Sequence, residues 1–243
     1  MRDVPRHSQA KLAPSEIVTL ALLYALKGQG SRAFWRWLIR DYRPLFPQLP
    51  DRTRLLRLFA THQAWADRFL ADPTLLGVAD TFGIELCHPR REGRTAEQLG
   101  AKGLSNHRWI VGVKFGYVVN SQGLIVDWDL DTANVHDNTF TELVAGLAGE
   151  MGIYTDSSFH RKEGDPAHMV VCECGSRNQR MIVETVLSML TVVCHAKRMR
   201  HRVWEHLTAR ISFLVAVFNL LVQWEGRETA GGRLRLSIAE FRL

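Results

Sequence analysis

Apolar residues recur at helical spacing over residues 14–70, then switch from residue 74 to short runs rich in Val, Ile, Phe and Tyr. In the first stretch Ile17, Val18, Leu20, Leu22, Leu23, Ala25 and Leu26 repeat behind Pro14-Ser15-Glu16. This predicts a helix entered at Pro14 or Ser15 and ended by Gly28 and Gly30. Phe34, Trp35, Trp37 and Leu38 place a second helix near 31–42. Pro44, Pro47 and Pro50 then break the chain. Asp51 caps a third helix over 52–70, with Arg52, Arg54 and Arg57 on its early turns. Such a basic helical region suits a DNA reader of helix-turn-helix type, or a brace against the rest of the chain. The pattern leaves both open.

The second stretch predicts strands over 75–86 and 109–119, and a third over 124–130 that follows a turn at Gln122-Gly123 and makes a hairpin with the second. Residues 87–106 between the first two read as a polar, basic loop. Val135-His136-Asp137-Asn138 leads into a helix over 139–147, capped by Asp137 or Asn138. A strand over 153–156, a polar loop over 157–168 and a short strand over 169–174 follow, then helices to about residue 224. The run from Ile211 to Trp224 is the most apolar. It falls short of the ~20 residues that a bilayer needs and reads as a buried helix. The expected division is a helical N-terminal region over 1–72, a catalytic domain over 73–226 and a basic tail over 227–243. Three strands, a helix, two strands and helices is the ribonuclease-H-like order: an α/β fold, with a mixed sheet flanked by helices and here an N-terminal helical domain. In that order the first and fourth strands lie side by side.

Composition narrows the setting. The 243 residues are 46% hydrophobic and 23% charged, enough for a real core. The net charge of +6 makes a polyanionic partner plausible and is weak evidence by itself. MRDVPRHSQAKL holds no apolar signal-peptide core, so the expected location is cytoplasmic, nucleoid-associated in a prokaryote, with no membrane partner. Cys87, Cys172, Cys174 and Cys194 form no CxxC pair and are expected to be reduced. Cys172-Glu-Cys174 with His88 and His195 does not match the spacing of a zinc module.

Three acids carry the candidate chemistry. Asp80 closes the run Leu75-Leu76-Gly77-Val78-Ala79, and Asp156 closes Gly152-Ile153-Tyr154-Thr155. Glu184 lies on a helical stripe of Arg177, Arg180, Glu184, Ser188, Thr191, His195, Arg198 and Arg202, spaced by three or four residues. Two strand-end aspartates and a helical glutamate can converge on a pair of divalent metals, which suits phosphodiester cutting and joining. Alternatively the stripe is a solvated face with an Arg180–Glu184 pair. His136-Asp137 reads either as an acid pair near the site or as a helix cap. Asp127, Asp129 and Asp131 alternate along an exposed strand face and lack the glycine and glutamate of a calcium loop.

These residues resemble insertion-sequence transposases with a DDE catalytic core. Val78-Ala79-Asp80-Thr81-Phe82-Gly83-Ile84 resembles the first-aspartate strand of that family. His107-Arg108-Trp109 with Gly112-Val113-Lys114 resembles the second strand, and Thr132-Ala133-Asn134-Val135-His136-Asp137 the element before the first core helix. Tyr154-Thr155-Asp156-Ser157-Ser158-Phe159 resembles the second-aspartate segment, and Arg180-x-x-x-Glu184-Thr185 the third motif. Ser15-Glu16-Ile17-Val18-Thr19-Leu20 and Leu45-Phe46-Pro47 resemble the helical N-terminal region of one branch. The longer third motif has a Tyr and a Lys where this chain has Arg177 and Thr191.

The resemblance implies two ions, Mg²⁺ or Mn²⁺, held by Asp80, Asp156 and Glu184. It implies double-stranded DNA as partner, both transposon end and target, and a homodimer on it. Lys102, His107, Arg108, Lys114, Arg161, Lys162, Arg180, Lys197 and Arg198 are the expected phosphate contacts. Lys114 needs an anionic partner if it faces inward among Val111, Val113 and Phe115, and none if it faces out. A related nuclease without strand transfer, or a catalytically silent DNA-binding descendant, would carry the same marks.

Overall fold

The computed structural model describes residues 10–94, 96–172, 177–197 and 199–226, with the backbone alone at 177–181 and 225–226. Helices come first: α1 (Pro14–Lys27), α2 (Ser31–Asp41) and α3 (Arg52–Thr61). Pro14 opens α1, where its missing N–H costs nothing, and the Ala13 N–H donates to the Glu16 carboxylate at 2.6 Å. The Asp51 carboxylate accepts from the N–H of Thr53 and Arg54 at 2.9 and 3.0 Å, capping α3 as expected. The third helix is shorter than the pattern predicts. It stops at His62, and a 3₁₀ segment, Gln63–Phe69, completes the path.

The sheet has six strands: β1 (Leu76–Cys87), β2 (Ala101–Ser105), β3 (Arg108–Asn120), β4 (Ile125–Thr132), β5 (Gly152–Thr155) and β6 (Met169–Val171). Their order is β2-β3-β1-β5-β6, with β4 also on β3. β1 runs antiparallel to β3 and parallel to β5, so the first and fourth expected strands do lie side by side. β2 was expected as loop. It pairs with one end of β3 while β4 pairs with the other, so both share one edge. The turn into β3 is a tight one, with Asn106 and His107 both at positive φ, 47° and 60°.

Helices cover both faces, as the mixed α/β class requires. On one face α5 (Arg177–Val192) packs on β1 and α6 (Trp204–Gly226) on β4. On the other, a 3₁₀ turn (Asp137–Phe140) leads into α4 (Thr141–Gly146). Its Phe140 ring lies so close to Gly116 that a Cβ there would sit 2.2 Å from it. The cap at this turn is the His136 ring, which accepts from the Asn138 N–H, rather than Asp137 or Asn138.

α6 is the hub. It is buried along most of its length and touches α1, α3, the 63–69 segment and β4. Leu20, Phe34 and Phe59 of the N-terminal helices therefore share one core with Phe82, Tyr117 and Phe218. By length and composition α6 is long and apolar enough to cross a membrane, so the length argument made from the sequence does not hold; 72% of its apolar window is buried inside the protein. Asn219, fully buried on α6, accepts from the Ile125 N–H and donates to the carbonyls of Phe69 and Ile125, each at 2.8 Å. This satisfies Ile125 at the start of β4; farther along, the carboxylates of Asp127, Asp129 and Asp131 accept from the N–H groups of Trp128, Leu130 and Thr132.

Candidate functional site

Strand alternation decides where the first two acids point. Val78, Phe82 and Ile84 of β1 belong to the core under α5 and α6, whereas Ala79 belongs to the opposite one. Asp80, midway along β1 rather than at its end, shares the face of Val78 and Phe82. In the parallel pairing Leu76 faces Gly152 and Val78 faces Tyr154. Asp156 remains extended, at φ −87° and ψ 175°. Continued by two residues, that register would set Asp80 opposite Asp156, which lies one residue past the end of β5. Tyr154 packs on the same core as Phe82, so Asp156 shares that face.

Asp156 caps the 3₁₀ turn Ser157–Phe159, accepting from the Ser158 N–H at 3.0 Å and from the Ser158 hydroxyl. Ser158 also bonds Asp137. Asp137 accepts in addition from the Lys114 ammonium at 2.6 Å and the Thr81 hydroxyl at 3.0 Å. Burial pushes the Asp137 carboxyl up; the Lys114 hydrogen bond and charge, with the Ser158 and Thr81 hydroxyls, outweigh it and hold the group below the usual carboxylate range. Lys114 therefore faces inward, 12% exposed, and its anionic partner is Asp137. Its ammonium also donates to the Val135 carbonyl at 2.6 Å.

α5 carries Glu184 on an exposed flank beside Val183 and Val186, which are buried in the core over β1. The polar stripe expected to run on to Arg202 ends with the helix at Val192. His195 then takes a left-handed backbone, at φ 55°, and the chain leaves the helix axis. Carboxylate oxygens are the donors that Mg²⁺ and Mn²⁺ prefer, so Asp80 and Asp156 fit a hard divalent cation. Among the described residues no three His, Cys, Asp or Glu side chains gather closely enough to hold a metal, so Asp80, Asp156 and Glu184 do not form one cluster here.

The basic residues fall into three places. Lys102, His107 and Arg108 sit on the β2–β3 hairpin. Lys102 pairs with Glu92 at 3.2 Å, Arg108 pairs with Glu85, and His107 is exposed at the tip. Arg161 and Lys162 follow the Asp156 turn. Arg161 ties down to Glu142 at 2.8 Å and to the Asn138 carbonyl at 3.0 Å, while Lys162 is exposed. The exposed Lys197 ammonium lies 6.0 Å from the Phe82 ring centre, on the face of Asp80. The Arg180 side chain and Arg198 lie outside the described residues, as does Cys174.

Sequence reasoning passed over a second set of charges. Arg90, Arg91 and Arg94 line a wide cleft opposite Arg200 and Arg202, and Lys197 and Arg108 reach it too. The arginine run in the 87–106 loop was the available signal; nothing in the sequence places residues 200–202 across from it.

A family model described as a transposase DDE domain matches residues 70–165, a span that contains β1 to β5 with Asp80 and Asp156 and stops short of Glu184. Comparison with curated proteins and with solved structures gives no match in either case.

Proposed function

From a chain that carries a transposase DDE domain over residues 70–165, we propose a transposase that cuts DNA at insertion-sequence ends and joins the freed end to target DNA. The observation that carries this reading is the parallel β1–β5 pairing up to Val78 and Tyr154, whose continuation by two residues leads to Asp80 and Asp156. DDE transposases use divalent metal in general, and Mg²⁺ or Mn²⁺ is the ion proposed here, two per site. Asp80 and Asp156 would hold them, with Glu184 completing the set as its part of α5 closes on the aspartates. Bound there, such ions supply an activated water or 3′-hydroxyl and a counter-charge for the departing oxygen.

The chain's own groups prepare that site. Ser158 fixes one oxygen of Asp156 by two hydrogen bonds. The Lys114–Asp137 pair anchors Ser158 in turn, so Lys114 acts by positioning rather than by touching phosphate. Lys102, His107, Arg108, Lys162 and Lys197, with Arg161, Arg180 and Arg198, are the proposed phosphate contacts. The partners are double-stranded DNA and a second copy of this chain, acting at the nucleoid in the cytoplasm.

The test is cleavage of labelled DNA bearing the inverted repeats that flank the gene, in Mg²⁺, Mn²⁺ or EDTA. Metal-dependent cuts at the repeat ends, lost in Asp156→Ala, are expected. Binding without cleavage by the wild type in either metal would replace this reading with a silent DNA-binding protein. Cleavage with no joined product would reduce it to a nuclease.

A further inference from the structure

The cleft beside this site has a volume of about 1560 Å³ and begins at Gly83, three residues along β1 from Asp80. One wall is the loop after β1, with Arg90, Arg91 and Arg94. The other is the segment between α5 and α6, with Arg200 and Arg202. All five arginines are exposed, and among the described residues none is ion-paired. The lining carboxylates are Glu85, already paired with Arg108, and Glu97.

The floor is Arg210 of α6, 4% exposed. One of its amino groups donates to the Gln29 carbonyl at 2.9 Å, and its guanidinium lies 4.0 Å from the Tyr24 ring centre. Its Nε is buried without a hydrogen-bond partner, and among the described residues no carboxylate faces it. His201 packs edge-on to Tyr24 and adds no anion. Burial first, then the charges of Arg210 and His206, push its ring down to about 3, so it stays neutral. A buried cation with no counter-charge is costly unless an anion comes to it. Five solvated arginines leading to such a cation form a path for a polyanion.

We propose that this cleft holds the sugar-phosphate backbone of the DNA whose scissile bond lies at Asp80, with one phosphate seated on Arg210 and its neighbours on the wall arginines. The inference rests on the function proposed above. At ~3.3 Å per strand residue, Gly83 is about 10 Å from Asp80, which is about three nucleotides along one strand. The cleft therefore reads no base. It sets the register of the strand at the metal-binding acids by backbone contact.

The experiment is fluorescence anisotropy of the full-length protein on a labelled inverted-repeat duplex in EDTA, over a salt series. The variants are Arg91→Gln/Arg94→Gln, Arg200→Gln/Arg202→Gln and, as an equal-charge control away from the cleft, Arg36→Gln/Arg43→Gln. Each phosphate contact contributes about 0.9 to the log–log salt slope. Each cleft pair is expected to lower the slope by about 2 and the affinity by on the order of 10-fold near 0.1 M salt. The control should change neither. Wild-type affinity and slope in both cleft variants, or an equal loss in the control, would overturn the proposal. Asp156-dependent cleavage beside unchanged cleft variants sinks this inference alone. A reduced slope with no cleavage by the wild type in any metal keeps the cleft and sinks the transposase reading.

Discussion

The finest adjustment in this protein is made at Asp137, which joins the candidate site to the fold. Its depressed carboxyl stabilises the native state fully above the unfolded value, about 3.9. That contribution is lost as pH falls through the lower native value. Lys114→Met should therefore cost about 3 kcal/mol at neutral pH, the low end for breaking a buried pair, because both partners are partly exposed. Its cost should shrink as pH falls through that lowered native value, where Asp137 takes up a proton and no longer needs the ammonium. Urea midpoints between pH 3 and 7 read both effects; a cost that does not vary with pH would mean that Lys114 matters only as packed hydrocarbon. Ser158→Ala should weaken metal-dependent cleavage while leaving the urea midpoint nearly unchanged. A parallel loss of both would make Ser158 a structural residue only. The two aspartates were legible because each ends an apolar run. The partner of Lys114 was not, because Asp137 lies on a turn that only the chain's path brings beneath β3.

At the scale of elements, the strands that alternate or run apolar were read correctly and β2 was missed. Ala101–Ser105 has little apolar pattern and is a strand only because β3 offers it an edge. Gly103 permits this, since a Cβ there would sit 1.8 Å from the Ala133 carbonyl oxygen. Asn219 serves the first residue of β4, Ile125. Asn219→Leu should leave three buried backbone groups without that partner and cost about 2–3 kcal/mol, seen as a lower urea midpoint with an unchanged slope. A neutral result would mean that water replaces the amide. α5 packs firmly only through its buried side. Adding Mn²⁺ and cleaved-end DNA should slow amide hydrogen exchange around Glu184 in the wild type and not in Asp80→Ala. Equal exchange with and without ligand would argue against closure of α5 on the aspartates.

Across the whole molecule, the N-terminal helices do not stand apart. α1, α3 and the 63–69 segment cover one side of α6, whose other side covers the sheet. A chain cut to residues 73–243 should thus expose the apolar surface of α6 and aggregate during gel filtration. A monomeric, folded fragment would show that the helices are dispensable to the core. The N-terminal helices thus pack as a brace on α6, while Arg54 and Arg57 of α3 stay at the surface.

The sequence by itself determined the helical and strand periods, the caps at Asp51 and Pro14, and the order of strands and helices along the chain. These follow from local rules of spacing and backbone chemistry. Only the tertiary structure decided the register in which β1 meets β5, that Lys114 belongs to Asp137, and that Arg210 faces a cleft shared with Arg94 and Arg200. Each of those depends on which distant segments meet across the core, and that is set by packing over the whole chain, which no local window contains.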